Sequence, residues 1–146
     1  MIQKFSFLLI TILLIASVAS AGDLAKQASA IKKEYNAKYP NLSMADLKKS
    51  IADKSVTLID ANGSDSYADG HIPSAIQFNS EDKSFASKLP ADKNAQIVVY
   101  CGSERCTAWW KAADWANKNG YTNVKHFSDG KKGWEAAGEK LIPVKK

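Results

Sequence analysis

The chain has 146 residues, enough for one domain with a real core but short for two. Its 45% hydrophobic and 24% charged residues are those of an ordinary globular protein, and neither an internal repeat nor a low-complexity segment is present. The net charge of +5 comes from lysines scattered among acids, with no dense basic block interleaved with aromatics; this argues against nucleic acid as a partner and leaves a mildly basic surface that attracts small anions.

Lys4 opens a positively charged start, Phe5 to Val18 is an apolar run, and Ala19-Ser20-Ala21 offers small residues for signal peptidase. The pattern is that of a secretory signal peptide over residues 1–21, cut between Ala21 and Gly22. A membrane anchor is the weaker reading, because a spanning helix needs about 20 apolar residues. No cysteine follows the run to carry a lipid. The expected product is exported, periplasmic and without stable membrane insertion.

Residues 22–40 read as an N-terminal helical extension. Asp23 to Lys38 is rich in helix formers, with Leu24, Ala28, Ile31, Tyr35 and Ala37 roughly on one face, and Tyr39-Pro40 closes it. Residues 41–146 read as the main domain. Ser43 is a natural cap for a helix that carries Leu47 and Ile51. Val56 to Ile59 reads as a strand ending at Asp60, Asn62-Gly63-Ser64 as a turn, and Ala75 to Phe78 as a second strand. Residues 79–95 are polar, with Phe85 and Leu89 seating a short helix. Ile97 to Tyr100 is apolar throughout, hence a strand buried on both faces. Thr107 to Asn119 is a helix stopped by Gly120, Val124 to Phe127 a fourth strand, and Lys131 to Gly138 a last helix. Short strands alternating with helices predict an α/β fold with a mainly parallel sheet. In such sheets the functional crevice lies off the carboxyl ends of the strands, where Asp60 and Cys101 both stand.

Both cysteines of the chain lie in one short stretch, YCGSERCT, between the third strand and the helix after it. A sulfur at Cys101 faces the free amides and dipole of a helix start, which stabilise a thiolate or persulfide. Gly102 lets the backbone curl around it, Ser103 can donate a hydrogen bond, and Arg105 can hold a sulfur oxyanion. Glu104 opposes Arg105, so the loop's side chains sum to about neutral. The plain alternative is a structural disulfide, since exported proteins often pair their cysteines. A bridge closing so short a loop constrains the unfolded chain little, which favours a redox or sulfur-relay role for Cys106.

Several stretches together resemble the rhodanese-like sulfurtransferase domain. They are Leu58-Ile59-Asp60, Tyr67 to Ala75 (YADGHIPSA), Ile97 to Cys101, Gly120 to Val124 (GYTNV), and Asp129 to Trp134 with Ala137-Gly138. The resemblance spans about residues 41–142. It implies a parallel five-stranded sheet with helices on both faces and transfer of sulfane sulfur through a persulfide on Cys101. The loop Cys101, Gly102, Ser103, Glu104, Arg105 and Cys106 would bind the substrate, and Asp60 would contact the loop or donor or serve structure alone. It implies no metal and no organic cofactor. The partners would be a small sulfur-containing anion, such as thiosulfate or a persulfide donor, and a thiol or cyanide acceptor. The chain departs from the motifs at Asn62, Ser66 and Asp129, and Cys106 stands where an arginine is common. Two other functions fit the same residues: a thiol–disulfide redox protein using Cys101 and Cys106, and a non-catalytic binding module. His71 reads as a structural hydrogen-bonding residue, His126 as a partly exposed strand residue, and Trp109, Trp110 and Trp115 as packing.

Overall fold

The structure is a computed structural model that describes residues 20–82 and 84–145. The leader assigned to residues 1–21 therefore lies outside the described residues, except for Ser20 and Ala21. Among the described residues, no helix is long and apolar enough to cross a membrane.

The elements follow in the order α1 (Ala21–Lys38), α2 (Met44–Ala52), β1 (Thr57–Asp60), α3 (Ser64–Asp69), β2 (Ile76–Gln77), a 3-10 turn (Phe85–Lys88), β3 (Ile97–Tyr100), α4 (Trp109–Lys118), β4 (Val124–His126) and α5 (Gly130–Ala136). The four strands form one parallel sheet in the order β2-β1-β3-β4. Alternate residues of β3 point to opposite faces. Ile97 and Val99 join Ile59, Phe85, Ala112, Ala113 and Ala116 on the α4 side, while Val98 and Tyr100 join Leu47, Leu58, Phe127 and Trp134 on the side of α2 and α5. All four β3 residues are fully buried, as an unbroken apolar run requires.

The sheet has four strands rather than the expected five. The missing edge shrinks to one parallel bridge between Asn41 and His126. Around it the Pro40 carbonyl accepts from the His126 amide at 3.0 Å and the Leu42 amide donates to the His126 carbonyl at 2.7 Å. Tyr39 before them still bonds back to Tyr35 of α1 and Ser43 after them caps α2, so the pairing stops there. Helix α3 forms where only a turn was expected; at six residues, with no side-chain cap, it leaves little pattern.

The expected apolar face of α1 is mostly uncovered, with Leu24 56% and Ile31 43% exposed. Only its end docks. Asp114 of α4 accepts hydrogen bonds from Tyr35 Oη at 2.5 Å, Tyr39 Oη at 2.6 Å and Lys38 Nζ at 2.9 Å. The Tyr35 ring stacks on Trp110 with centroids 4.6 Å apart, and Tyr39 is buried in the core. Ser20 and Asp23 form a reciprocal cap at the other end, so a cut after Ala21 falls in the first turn and spares the docking residues.

Burial pulls the Asp114 carboxyl upward, but the bonds from Tyr35, Tyr39 and Lys38 together outweigh it and hold the pKa at about 2. The docking of α1 is therefore fully present above the ordinary carboxylate range and is lost as pH falls through that range toward about 2. Tryptophan emission is expected to report this undocking in acid, and Asp114→Asn is expected to loosen α1 already at neutral pH. Identical emission–pH curves for the two proteins would contradict the assignment.

Candidate active site

Strand β3 delivers the chain to Cys101, which is 1% exposed. Cys101 and Cys106 are joined by a disulfide, their Cα atoms 6.2 Å apart, a separation such a bond readily spans. Cys106 is half-buried and packs against the α4-side core.

The loop between them is bonded on one side only. The Cys101 carbonyl accepts from the Lys131 amide at 3.0 Å, and the Gly102 carbonyl from the Lys132 amide at 3.1 Å. The Ser103 carbonyl accepts from the Cys106 amide at 2.9 Å, and the Glu104 carbonyl from Lys32 Nζ at 3.2 Å. Among the described residues, the amides of Gly102, Ser103, Glu104 and Arg105 have no protein acceptor. Four carbonyls are held by partners, and four neighbouring amides are left free to receive an anion.

The start of α5 is what grips the loop. Gly130 has φ +62°, and a Cβ there would fall on the Cys101 carbonyl oxygen, with the Ser103 amide nitrogen 2.8 Å away. Gly102, expected to supply the tight curl, adopts no positive φ, and a Cβ there would meet only Asn62 Oδ1 at 3.5 Å. The close backbone approach thus belongs to Gly130.

Asp60 is fully buried under the loop. Its Oδ2 accepts from Tyr100 Oη at 2.6 Å, and its Oδ1 accepts from the Asn62 amide at 2.8 Å and Asn62 Nδ2 at 2.6 Å. Tyr100 Oη in turn accepts from the Ile72 amide at 3.0 Å. Burial, then the neighbouring Asp60, pushes the Tyr100 hydroxyl far above its ordinary pKa, so it stays a donor. Of the two roles open to Asp60, this geometry supports the structural one: it fixes the residue before Cys101. Lys131 Nζ donates to the Ser66 carbonyl at 2.6 Å and ties α5 to α3.

A cavity of about 600 Å³ opens beside the loop, lined by Ser103, Glu104, Arg105, Asp129, Lys132, Gly133 and Ala136. Neither cysteine is on its lining. Ser103, Glu104 and Arg105 are thus brought to one crevice, with Asp129 and Lys132 added to them, while Cys101 and Asp60 lie beneath. Sequence reasoning missed Lys32, Gly130, Lys131 and Lys132. A backbone amide leaves no residue-type signal, and Lys32 is remote in the chain.

His126 is buried, 5% exposed, contrary to expectation. It stacks on Trp109 with centroids 3.6 Å apart, and burial, with the Lys32 charge nearby, pushes its pKa down to about 4. His71 lies with Nδ1 3.0 Å from the Tyr67 carbonyl and stacks on the Tyr67 ring. Among the described residues, no group of His, Cys, Asp or Glu is arranged to hold a metal ion.

Gly130→Ala is expected to lower stability by about 2 kcal/mol, because it strains the backbone and pushes on the loop. Urea unfolding measures it, and an unchanged midpoint would contradict the role given to Gly130.

No curated protein sequence matches the chain. Among solved structures, the chain superposes on the polysulfide-sulfur transferase homodimer of Wolinella succinogenes with TM-score 0.68 and 18% identity, covering 86% of this chain and 95% of that one. The thiosulfate sulfurtransferase of Pseudomonas aeruginosa gives TM-score 0.65 and 20% identity, over 82% of this chain and 23% of that one. The human single-domain sulfurtransferase TSTD1 gives TM-score 0.54 and 20% identity, over 66% and 96%. Likeness at these identities establishes a shared fold. The family model for the Rhodanese-like domain matches residues 43–137, well over half of the chain, in the same segment that holds the sheet, the cysteine loop and the start of α5. The chain belongs to the rhodanese-like domain family.

Proposed function

We propose that the chain is an exported sulfurtransferase that carries sulfane sulfur as a persulfide on Cys101. The observation that carries this reading is the one-sided bonding of the loop. Free amides of residues 102–105 cluster just after a buried strand, beside a cavity holding Arg105 and Lys132. Such an environment favours an anionic sulfur over a neutral one. Membership in the family and the names of the structural neighbours support the same chemistry. The leader pattern of residues 1–21 supports export to the periplasm.

The cycle begins from the reduced dithiol. The Cys101 thiolate attacks the outer sulfur of a donor such as thiosulfate; the donor's S–S bond breaks, and sulfite leaves with the electron pair. The loop amides and Arg105 hold the anion during attack. A cyanide or thiolate acceptor then takes the outer sulfur and returns Cys101 as thiolate. Neither step calls for a metal or an organic cofactor.

The Cys101–Cys106 bond favours a second reading. The Cys106 thiolate can attack the Cys101 sulfur of the persulfide, forming the disulfide and expelling hydrosulfide. A dithiol reductant must then reset the loop. A thiol–disulfide exchange protein would use the same bond without carrying sulfur.

With pre-reduced protein, thiosulfate and cyanide, thiocyanate formation is expected to vanish in Cys101→Ser and to persist at an altered rate in Cys106→Ser. No thiocyanate from the parent or from either variant, with a disulfide that is readily reduced and re-formed, would favour redox exchange. Activity surviving in Cys101→Ser would overturn the proposal.

A further inference from the structure

The charges lining the cavity cancel: Glu104 and Asp129 offset Arg105 and Lys132. An anionic donor therefore gains little long-range attraction from the lining itself. A further cation reaches the loop from outside the segment matched by the family. Lys32 on α1 places Nζ 3.2 Å from the Glu104 carbonyl, at the middle of the loop that the disulfide closes. Among the described residues it forms no salt bridge, whereas Lys38, six residues along the same helix, is paired with Asp114.

Helix α1 is a rigid mount for this cation. Tyr35, Lys38 and Tyr39 fasten its end to Asp114, and Tyr35 stacks on Trp110. Lys32 lies just under one turn before Tyr35, so the anchored end carries its side chain over the loop.

We propose that Lys32 is a specificity-determining residue, which gives the loop a net positive field and selects dianionic sulfur donors over neutral ones. The choice of donor class rests on the sulfurtransferase reading above. The field at the loop does not.

The test uses the oxidised protein and reads the field without sulfur transfer. The disulfide is reduced by 2-mercaptoethanesulfonate, whose thiolate form is a dianion, and by 2-mercaptoethanol, whose thiolate form is a monoanion. In each case one thiolate attacks one sulfur and expels the other as thiolate, and a second thiolate then displaces the bound reagent as its own disulfide, leaving the protein dithiol. The ratio of the two rates isolates the extra charge. Lys32→Gln is expected to lower that ratio about threefold at low salt, and the difference is expected to fade at high salt. Lys32→Arg is expected to restore the ratio, and tryptophan emission should stay that of the parent because the Asp114 anchor is untouched. An unchanged ratio overturns the proposal. So does a fall accompanied by a change in tryptophan emission, which would mean that α1 had undocked.

With thiosulfate as substrate, Lys32→Gln is then expected to raise KM about threefold, and Lys32→Arg to return it to the parent value. Should the parent protein take no sulfur from thiosulfate, the sulfurtransferase reading fails, while the reduction ratio still decides the role of Lys32.

Discussion

Two backbone amides at the start of α5 hold the loop that contains both cysteines. Lys131 and Lys132 donate to the carbonyls of Cys101 and Gly102, and they can approach so closely only because Gly130 has no side chain to strike the Cys101 carbonyl. Once those carbonyls are fixed, the following amides are left unpaired on the other side of the chain. The site is therefore less a set of side chains than an orientation of the backbone, imposed by one helix packing against one strand end.

The layer beneath the loop has the same logic. Tyr100, the last residue of β3, is locked by Asp60 on β1 and by the Ile72 amide. These groups are buried, and each has its partner, so they define where β3 ends and where Cys101 begins. The N-terminal helix is fastened through a separate anchor, Asp114, and reaches the loop from outside through Lys32. Core, loop and extension thus converge on one short stretch of backbone.

Much of this architecture was legible in the residues. The apolar run Ile97 to Tyr100 marked the central strand, and the carboxyl-end rule pointed to the loop after it, although Cys101 itself lies beneath the crevice that this loop lines. The pairing of the cysteines in one loop was visible as spacing, although either outcome, free thiols or a bond, fitted it. Other features were hidden for physical reasons. The fifth strand shrank to one bridge at Asn41, because the end of α1 and the cap of α2 leave no more chain between them to pair. His126 read as a polar strand residue, but stacking on Trp109 buries it. Asp60 stood at a strand end, where position alone left a binding role and a structural role open; Tyr100 and Asn62 bond both of its oxygens, which supports the structural one. Helix α1 showed an apolar pattern that pointed to a buried face, yet its docking depends on three polar groups meeting one carboxyl.

The central claim is that the loop's unpaired amides form a cradle for an anionic sulfur attached to Cys101. Its most direct measurement is the intact mass of the reduced protein after thiosulfate treatment, with the modified peptide mapped. The account predicts the gain of one sulfur atom on Cys101, its removal by cyanide, and no gain in Cys101→Ser. A protein that returns only to the Cys101–Cys106 disulfide and never gains sulfur, even as Cys106→Ser, would contradict it.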